Sequence, residues 1–142
     1  MSDRIETVKA VMAAWARHDI DELMSHMHPD VEWHYQVGSR PAQGAEAMRK
    51  ILDKLQHHQL QSRWRLVHHA ESDNRVLIEA IDDFVNPDDR RVRAPYMGVY
   101  EFDGDLITGW RDYVDMGVMM ASERGEPTPE WIEPLVADDR GS

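Results

Sequence analysis

Residues 105–116, DLITGWRDYVDM, alternate between the two faces of a predicted β-strand and decide the fold class. Successive side chains of a strand point to opposite faces of the sheet. One face then carries Leu106, Thr108, Trp110, Asp112 and Val114. Asp112 is the charged member of this face, and an ionised carboxylate is costly in apolar surroundings unless it is paired, hydrogen-bonded or protonated. The stretch therefore predicts a half-buried strand with one carboxylate that needs a partner, a proton or a function.

A second segment repeats this pattern. In VLIEAIDDF, the more apolar alternate positions are Val76, Ile78, Ala80, Asp82 and Phe84. Two carboxyl groups in one poorly solvated cavity cannot both ionise at low cost, so one retains a proton and acts as acid while the other acts as base. Such a pair suits epoxide opening, isomerisation, dehydration or ring closure. In the alternative interpretation, Asp82 and Asp112 only hydrogen-bond a buried arginine or backbone amides.

The rest of the chain predicts an α+β fold. Apolar residues recur at helical spacing in three N-terminal segments: residues 5–15, residues 20–28 before Pro29, and residues 44–55. Two-residue periodicity predicts strands near residues 31–35, 64–70, 76–84, 90–102 and 106–115. Helices followed by a run of antiparallel strands give helices packed on one face of a curved, mostly antiparallel sheet.

The length and the turn signals favour one domain, residues 1–125, followed by a C-terminal tail, residues 126–142. The tail contains three prolines and is expected to pack on the domain or extend from it. Trp131, Ile132 and Leu135 are the candidate docking residues.

Composition narrows the classes of function. The formal net charge of −11 opposes binding to nucleic acid or to an anionic membrane surface. No apolar run approaches the roughly 20 residues of a membrane span, and the chain contains no cysteine, so a cytoplasmic location is expected. The histidines are not spaced as a metal site, and we expect neither a metal nor another cofactor.

A set of mainly aromatic residues shares the inward face of the predicted elements. These candidate substrate-binding residues are Met12, Trp15, Trp33, Tyr35, His68, Phe84, Tyr96 and Trp110. Together they would form the wall of a pocket for a small apolar substrate. The alternative for each of them is an ordinary core position, and for His68 a satisfied core histidine.

Three stretches resemble a known family: HPDVEWHYQ (28–36), VLIEAIDDF (76–84) and ITGWRDYVDM (107–116). They are similar to the limonene-1,2-epoxide hydrolase family of the nuclear transport factor 2-like superfamily, which also includes the SnoaL-like polyketide cyclases and the ketosteroid isomerases. The similarity runs from about Val8 to Met116. It implies a cone-shaped α+β barrel, formed by the curved sheet and about three N-terminal helices, around a deep apolar pocket.

The resemblance also implies roles for individual residues. Asp82 and Asp112 match the acid and the base of the family, in that order. The position of the arginine that bridges the two carboxylates is Ala80 here, and the tyrosine and asparagine that hold the attacking water are replaced by Trp33 and Tyr35. We therefore expect epoxide opening, with an isomerase, cyclase or dehydratase, or a non-catalytic apolar-ligand-binding module, as alternatives.

The superfamily resemblance further implies a homodimer that pairs through the outer face of the sheet. Apolar residues on that face are Val67, Leu77, Ile81, Met97, Val99 and Tyr113.

Overall fold

Two helices and two strands, a third helix, four consecutive strands and two final helices follow one another along residues 3–142, the part of the chain described by the structure, which is a computed structural model. The helices are α1 Arg4–Ala16, α2 Ile20–Ser25, α3 Ala45–Leu55, α4 Met116–Glu123 and α5 Glu133–Val136. The strands are β1 Met27–His34, β2 Ala42–Gln43, β3 Leu60–Ser72, β4 Arg75–Val85, β5 Arg91–Asp103 and β6 Leu106–Val114.

The six strands form one sheet in the order β2-β1-β6-β5-β4-β3. All neighbours are antiparallel except β1 and β6, which run parallel. The sheet does not close into a complete barrel, because β2 and β3 remain edges. The predicted α+β class, with a curved and mostly antiparallel sheet and three N-terminal helices, is confirmed.

The core lies between the N-terminal helices and the concave face of the sheet. Trp15 of α1 is fully buried and stacks on Trp64 of β3, with ring centroids 5.2 Å apart. Its indole Nε1 donates to the Ser62 hydroxyl at 2.7 Å, which satisfies the one polar atom that Trp15 brings into the core. This contact fixes α1 against the edge strand β3.

The sequence predicted that Pro29 ends the second helix, but this prediction is wrong. Helix α2 already ends at Ser25, and β1 begins at Met27. The pairing of β1 with β6 shifts in register between Met27 and Glu32, and Pro29 lies within this irregularity. A proline lacks the N–H that a ladder needs, so it is tolerated where regular pairing is interrupted.

Helix α4 was not predicted, because the sequence around Gly117 carries no clear helical stripe. The Asp115 carboxylate accepts a hydrogen bond from the Val118 N–H at 3.0 Å and caps this helix. The helix packs against β5 and closes one end of the concave face.

The tail is held by Arg65, and two of its three predicted docking residues, Trp131 and Leu135, are exposed. Trp131 is 76% exposed and Leu135 is 40% exposed, whereas Val136 is buried. The Arg65 guanidinium, itself 2% exposed, donates to the carbonyl oxygens of residues 136, 137 and 140 at 2.6–2.9 Å. The tail crosses the outer face of the sheet at Arg65. Ile81, which pairs with Arg65 in the sheet, was predicted to belong to an exposed dimer surface. It is instead buried within the chain.

Candidate functional site

The register of the central strands brings Asp82 and Asp112 to the same concave face. Asp82 of β4 lies opposite Ala94 of β5, and Asp112 of β6 lies opposite Gly98 of β5. Tyr96 lies midway between these two β5 positions and points to the same side. The two carboxyl groups therefore flank Tyr96 across three adjacent strands.

Both carboxyl groups line one cavity of about 220 Å³, which we call the inner cavity. Its aromatic walls are Trp33, Tyr35, Trp64 and Tyr96. Glu123 of α4 adds a third carboxyl group, and no lysine or arginine is among the described residues that line this cavity. Such a cavity suits a small, largely apolar ligand with polar atoms placed toward the carboxyl groups.

Asp82 is buried without an arginine partner. It is 7% exposed, and its Oδ1 atom has no hydrogen-bond partner among the described residues. Burial, the largest cause, and the negative charges of Asp83 and Glu123 together raise the pKa of Asp82 to about 7, against the lowering effect of a hydrogen bond with the Trp64 side chain. Asp82 is therefore able to hold a proton at near-neutral pH, as a general acid must.

Asp112 is equally buried but has a fixed donor. The Trp110 Nε1 atom donates to Asp112 Oδ1 at 2.8 Å. Burial raises the pKa of Asp112 well above its ordinary value, the Trp110 hydrogen bond lowers it, and the nearby Asp82 raises it. The carboxyl lies against Gly98, where an added Cβ would come within 2.8 Å of Oδ1, so the absence of a side chain there makes room for it.

The alternative interpretation was that Asp82 and Asp112 pair with a buried arginine. In the structure it is the neighbouring Asp83 that pairs with arginine. Its carboxylate contacts the guanidinium groups of Arg63, Arg65 and Arg91 at 2.8–3.0 Å on the outer face. Burial tends to raise the pKa of Asp83, but the Arg91 hydrogen bond and the three positive charges hold it below its ordinary value. Among the described residues, neither Asp82 nor Asp112 forms an ion pair.

Within the described residues, two further buried polar atoms around the inner cavity lack partners. They are the indole Nε1 of Trp33, which is a donor, and the Oε1 of Gln59, which is an acceptor. Burial and the carboxyl groups of Asp112 and Asp82 raise the pKa of Tyr96 well above its ordinary value, so its hydroxyl keeps its proton. Buried polar groups normally have partners, so these atoms indicate where a ligand or water would bind.

Of the predicted pocket wall, Trp33, Tyr35 and Tyr96 line the inner cavity. Phe84 lines an adjoining cavity of about 610 Å³, which we call the outer cavity. The prediction is wrong for three residues of the set, which do not line either cavity. Met12, Trp15 and Trp110 are buried in the core behind the cavity, and Trp110 acts on the site only through its hydrogen bond to Asp112.

His68 does not face the pocket. The pairing of β3 with β4 shifts in register between Leu66 and His68, and this irregularity moves the following side chains to the opposite face. The His68 side chain is 76% exposed, and its Nδ1 atom lies 2.8 Å from a carboxylate oxygen of Glu79. The inward orientation predicted from alternation is wrong for this residue.

Several lining residues were missed because they come from outside the alternating strands. They are Gln36, Leu55, Gln59, Met116, Met119 and Glu123. Gln59 lies in the connection between α3 and β3, and the last three lie on the unpredicted helix α4. The cap formed by Asp115 and Val118 was the available signal for α4.

The described residues contain no group of three or more histidine, aspartate or glutamate side chains placed to hold a metal ion. Within the same part of the chain, no helix is long and apolar enough to cross a membrane.

Comparisons with known proteins agree with the geometry of the sheet. A structure described as an LEH-like epoxide hydrolase from M. tuberculosis is 24% identical, with a TM-score of 0.75, and the alignment covers 93% of this chain and 94% of that chain. A putative SnoaL-like polyketide cyclase from Shewanella putrefaciens CN-32 is 16% identical, with a TM-score of 0.79 and coverage of 89% and 99%. At these identities the likeness establishes a shared fold.

A third similar structure is SalBIII, described as an epoxide hydrolase/cyclase-like enzyme in pyran ring formation in the polyether salinomycin. It is 16% identical, with a TM-score of 0.74, and the alignment covers 81% of this chain and 92% of that chain. No curated protein matches the chain significantly. The profile of the SnoaL-like domain matches residues 8–110, which is most of the chain. The protein therefore belongs to the SnoaL-like domain family.

Proposed function

We propose that the protein is a cofactor-independent acid/base enzyme that opens epoxide rings of small apolar substrates. Asp82 is the general acid and Asp112 is the general base. The observation that carries this proposal is that both carboxyl groups are shielded from bulk solvent, form no ion pair with an arginine among the described residues, and line the same inner cavity. A pair of titratable groups with raised pKa values in a cleft is the signature of acid/base chemistry.

The surroundings of the two carboxyl groups support their assignment. Asp112 accepts the Trp110 N–H, and a hydrogen bond to a carboxylate favours its ionised form. Asp82 has an unpartnered oxygen and two carboxylate neighbours, Asp83 and Glu123, which favour its protonated form. Burial raises the pKa of both aspartates, and we assign the one shared proton to Asp82 because Asp83 and Glu123 add negative charge beside it.

The reaction then follows from these protonation states. The Asp112 carboxylate removes a proton from a water molecule as the water oxygen attacks one epoxide carbon. The carbon–oxygen bond of the ring breaks, its electron pair passes to the epoxide oxygen, and Asp82 donates its proton to that oxygen. The product is a vicinal diol, and the proton on Asp112 returns to Asp82 through water. The hydroxyl of Tyr96 and the free N–H of Trp33 are available to hold the reacting oxygens.

A second candidate is an isomerase, cyclase or dehydratase that uses the same two aspartates. It is favoured by Trp33, because an indole offers a single N–H and holds a water molecule less firmly than several donors would. A proton shuttle within one substrate molecule needs no bound water. A non-catalytic ligand-binding module is the remaining alternative and requires only the apolar walls.

The test is turnover of panels of epoxide and enolisable carbonyl substrates by the wild type and by Asp82→Asn and Asp112→Asn. Each substitution should reduce turnover at least about 100-fold, since general acid or base catalysis contributes 10²–10⁴-fold. Asp105→Asn in the exposed β5–β6 turn is the matched control and should keep full activity. Diol formation identifies the first reaction and isomerised product the second. Binding without consumption of any substrate would leave only the ligand-binding module.

We also propose that two copies pair through the outer sheet face. Met97 and Tyr113 lie opposite each other on β5 and β6 and are 51% and 50% exposed. Adjacent exposed apolar side chains of this size are typical of an interface. Sedimentation should give twice the chain mass of 16.5 kDa, and Met97→Glu should shift the protein to the monomer. A wild-type protein that sediments only as a monomer would refute this pairing.

A further inference from the structure

The outer cavity adjoins the inner cavity and shares part of its wall. Leu55, Gln59 and Glu123 line both cavities. The inner cavity has a volume of about 220 Å³ and the outer cavity about 610 Å³. A cavity of about 150 Å³ accommodates benzene, so the inner cavity holds one ring and a few further atoms. A longer molecule would have to continue past the shared residues into the outer cavity.

The main chains of the two polar residues at this junction are fixed. His18 Nε2 donates to the carbonyl oxygen of Gln59 at 3.1 Å. The carbonyl oxygen of Glu123 accepts from Asn86 Nδ2 at 3.3 Å and from Arg90 Nη1 at 3.1 Å. These bonds connect Gln59 to the α1–α2 connection, and the end of α4 to the β4–β5 connection. The junction is therefore built before any ligand arrives.

Among the described residues, the polar ends of these two side chains leave acceptors that are available to a ligand. The Gln59 Oε1 atom is buried and has no hydrogen-bond partner among the described residues. The Glu123 carboxylate forms no ion pair within the same part of the chain. The unused Oε1 atom of Gln59 and the Glu123 carboxylate are hydrogen-bond acceptors, so they are matched by a donor, such as a hydroxyl or an N–H group.

The outer cavity has an amphipathic lining. Phe84, Pro87 and Met120 provide apolar surface, and Arg90 is among the residues that provide polar surface. A flexible hydrocarbon or a second ring with peripheral polar groups fits such walls.

We propose that the two cavities form one elongated substrate site in which Gln59, with Glu123, selects a hydrogen-bond donor located between the reactive end and the body of the substrate. The identity of the reactive end rests on the proposed function, but the shape and the donor requirement do not. Gln59 is thus a specificity-determining residue for an elongated, largely apolar alcohol or amine derivative. The reactive end lies beside Asp82 and Asp112, and the body lies in the outer cavity.

Three ligands separate these features, and equilibrium dialysis measures their dissociation constants without any turnover. 1-Phenylethanol has the ring and the donor, 1-phenylhexan-1-ol adds a tail, and hexanophenone has the ring and tail without a donor. The tail should strengthen binding of the longer alcohol over the shorter one. A site with an unused buried acceptor should prefer the longer alcohol over the ketone by roughly tenfold, the usual strength of one hydrogen bond.

Gln59→Leu should abolish the preference for the alcohol over the ketone and keep the effect of the tail. Gln56→Leu is the matched control, because the Gln56 side chain donates to the Asp53 carbonyl and lines neither cavity, and it should change neither effect. Met120→Lys, at a half-exposed position of the outer cavity, should remove the effect of the tail and keep the preference for the alcohol.

Equal binding of alcohol and ketone by the wild type, an unchanged preference in Gln59→Leu, or no effect of the tail would each overturn the proposal. The proposal would also be overturned if the wild type bound none of the three ligands. Dialysis reports binding alone. If the protein showed these binding preferences but turned over no substrate, the proposed function would be refuted and the elongated binding site would be supported.

Discussion

Asp82→Asn should remove activity and at the same time stabilise the fold above neutral pH. In the folded protein burial raises the pKa of Asp82 from the ordinary 3.8 to about 7. Between these values the folded chain holds a proton that the unfolded chain has released. The free energy of unfolding therefore falls as the pH rises through this window, at about 1.4 kcal/mol per pH unit, and the full loss above pH 7 is about 4 kcal/mol.

Below the unfolded pKa the carboxyl is protonated in both states and the loss is absent. An asparagine at this position has no charge to desolvate at any pH. We expect urea unfolding at pH 8 to give a free energy of unfolding several kcal/mol higher for Asp82→Asn than for the wild type, with the two values converging near pH 4. The remaining slope of the variant should come from Asp112, whose pKa is also raised by burial.

Asp105→Asn should follow the wild-type pH dependence, because its side chain is exposed in a turn. The reasoning would be refuted if wild type and Asp82→Asn showed parallel stability profiles between pH 4 and pH 8. Such a result would mean that Asp82 is ionised in the folded state, and an ionised Asp82 could not act as the acid.

Three further substitutions test residues that position the site or the tail. Gly98→Ala places a Cβ 2.8 Å from Asp112 Oδ1 and should reduce turnover about tenfold or more through a displaced base, whereas Gly109→Ala, whose nearest contact is 3.5 Å, should not alter kinetics. Arg65→Met should cost about 2–5 kcal/mol in urea unfolding and expose the tail to limited proteolysis, since it leaves the carbonyls of residues 137 and 140 without their donor and removes one of the three arginines from Asp83. Trp33→Phe should lower turnover, because it removes an N–H that has no partner among the described residues, and should lower the melting temperature only through the cavity left by the smaller ring; unchanged turnover would contradict this.

The placement of Asp82 and Asp112 on one face could be predicted because a strand has a strict period of two. That argument needs only local sequence, and it holds wherever the ladder is regular. It failed at His68, where one irregularity in β3 reverses the alternation. No residue near His68 signals this irregularity, since its cause lies in how β3 pairs with β4.

The remaining parts of the site depend on contacts between distant segments. Gln59 and Glu123 are far apart in the sequence, and each enters the cavity wall only because hydrogen bonds to other elements fix its main chain. Residue type also did not separate pocket from core. Trp15 and Trp33 are both buried tryptophans, but the N–H of Trp15 is bound to Ser62 and that of Trp33 is left free. The difference is visible only once the partners are in place.

The consecutive aspartates of β4 show how strongly the face of a strand decides chemistry. Asp82 and Asp83 have the same side chain and adjacent positions, and burial raises the pKa of both. On the outer face three arginines reverse this effect for Asp83 and make it the anchor of a structural cluster. On the inner face, where Ala80 brings no charge, Asp82 keeps its raised pKa and its free oxygen. A functional acid here thus requires the absence of the partners that its neighbour has, and an arginine introduced at Ala80 should lower the pKa of Asp82 and abolish its role as acid at neutral pH.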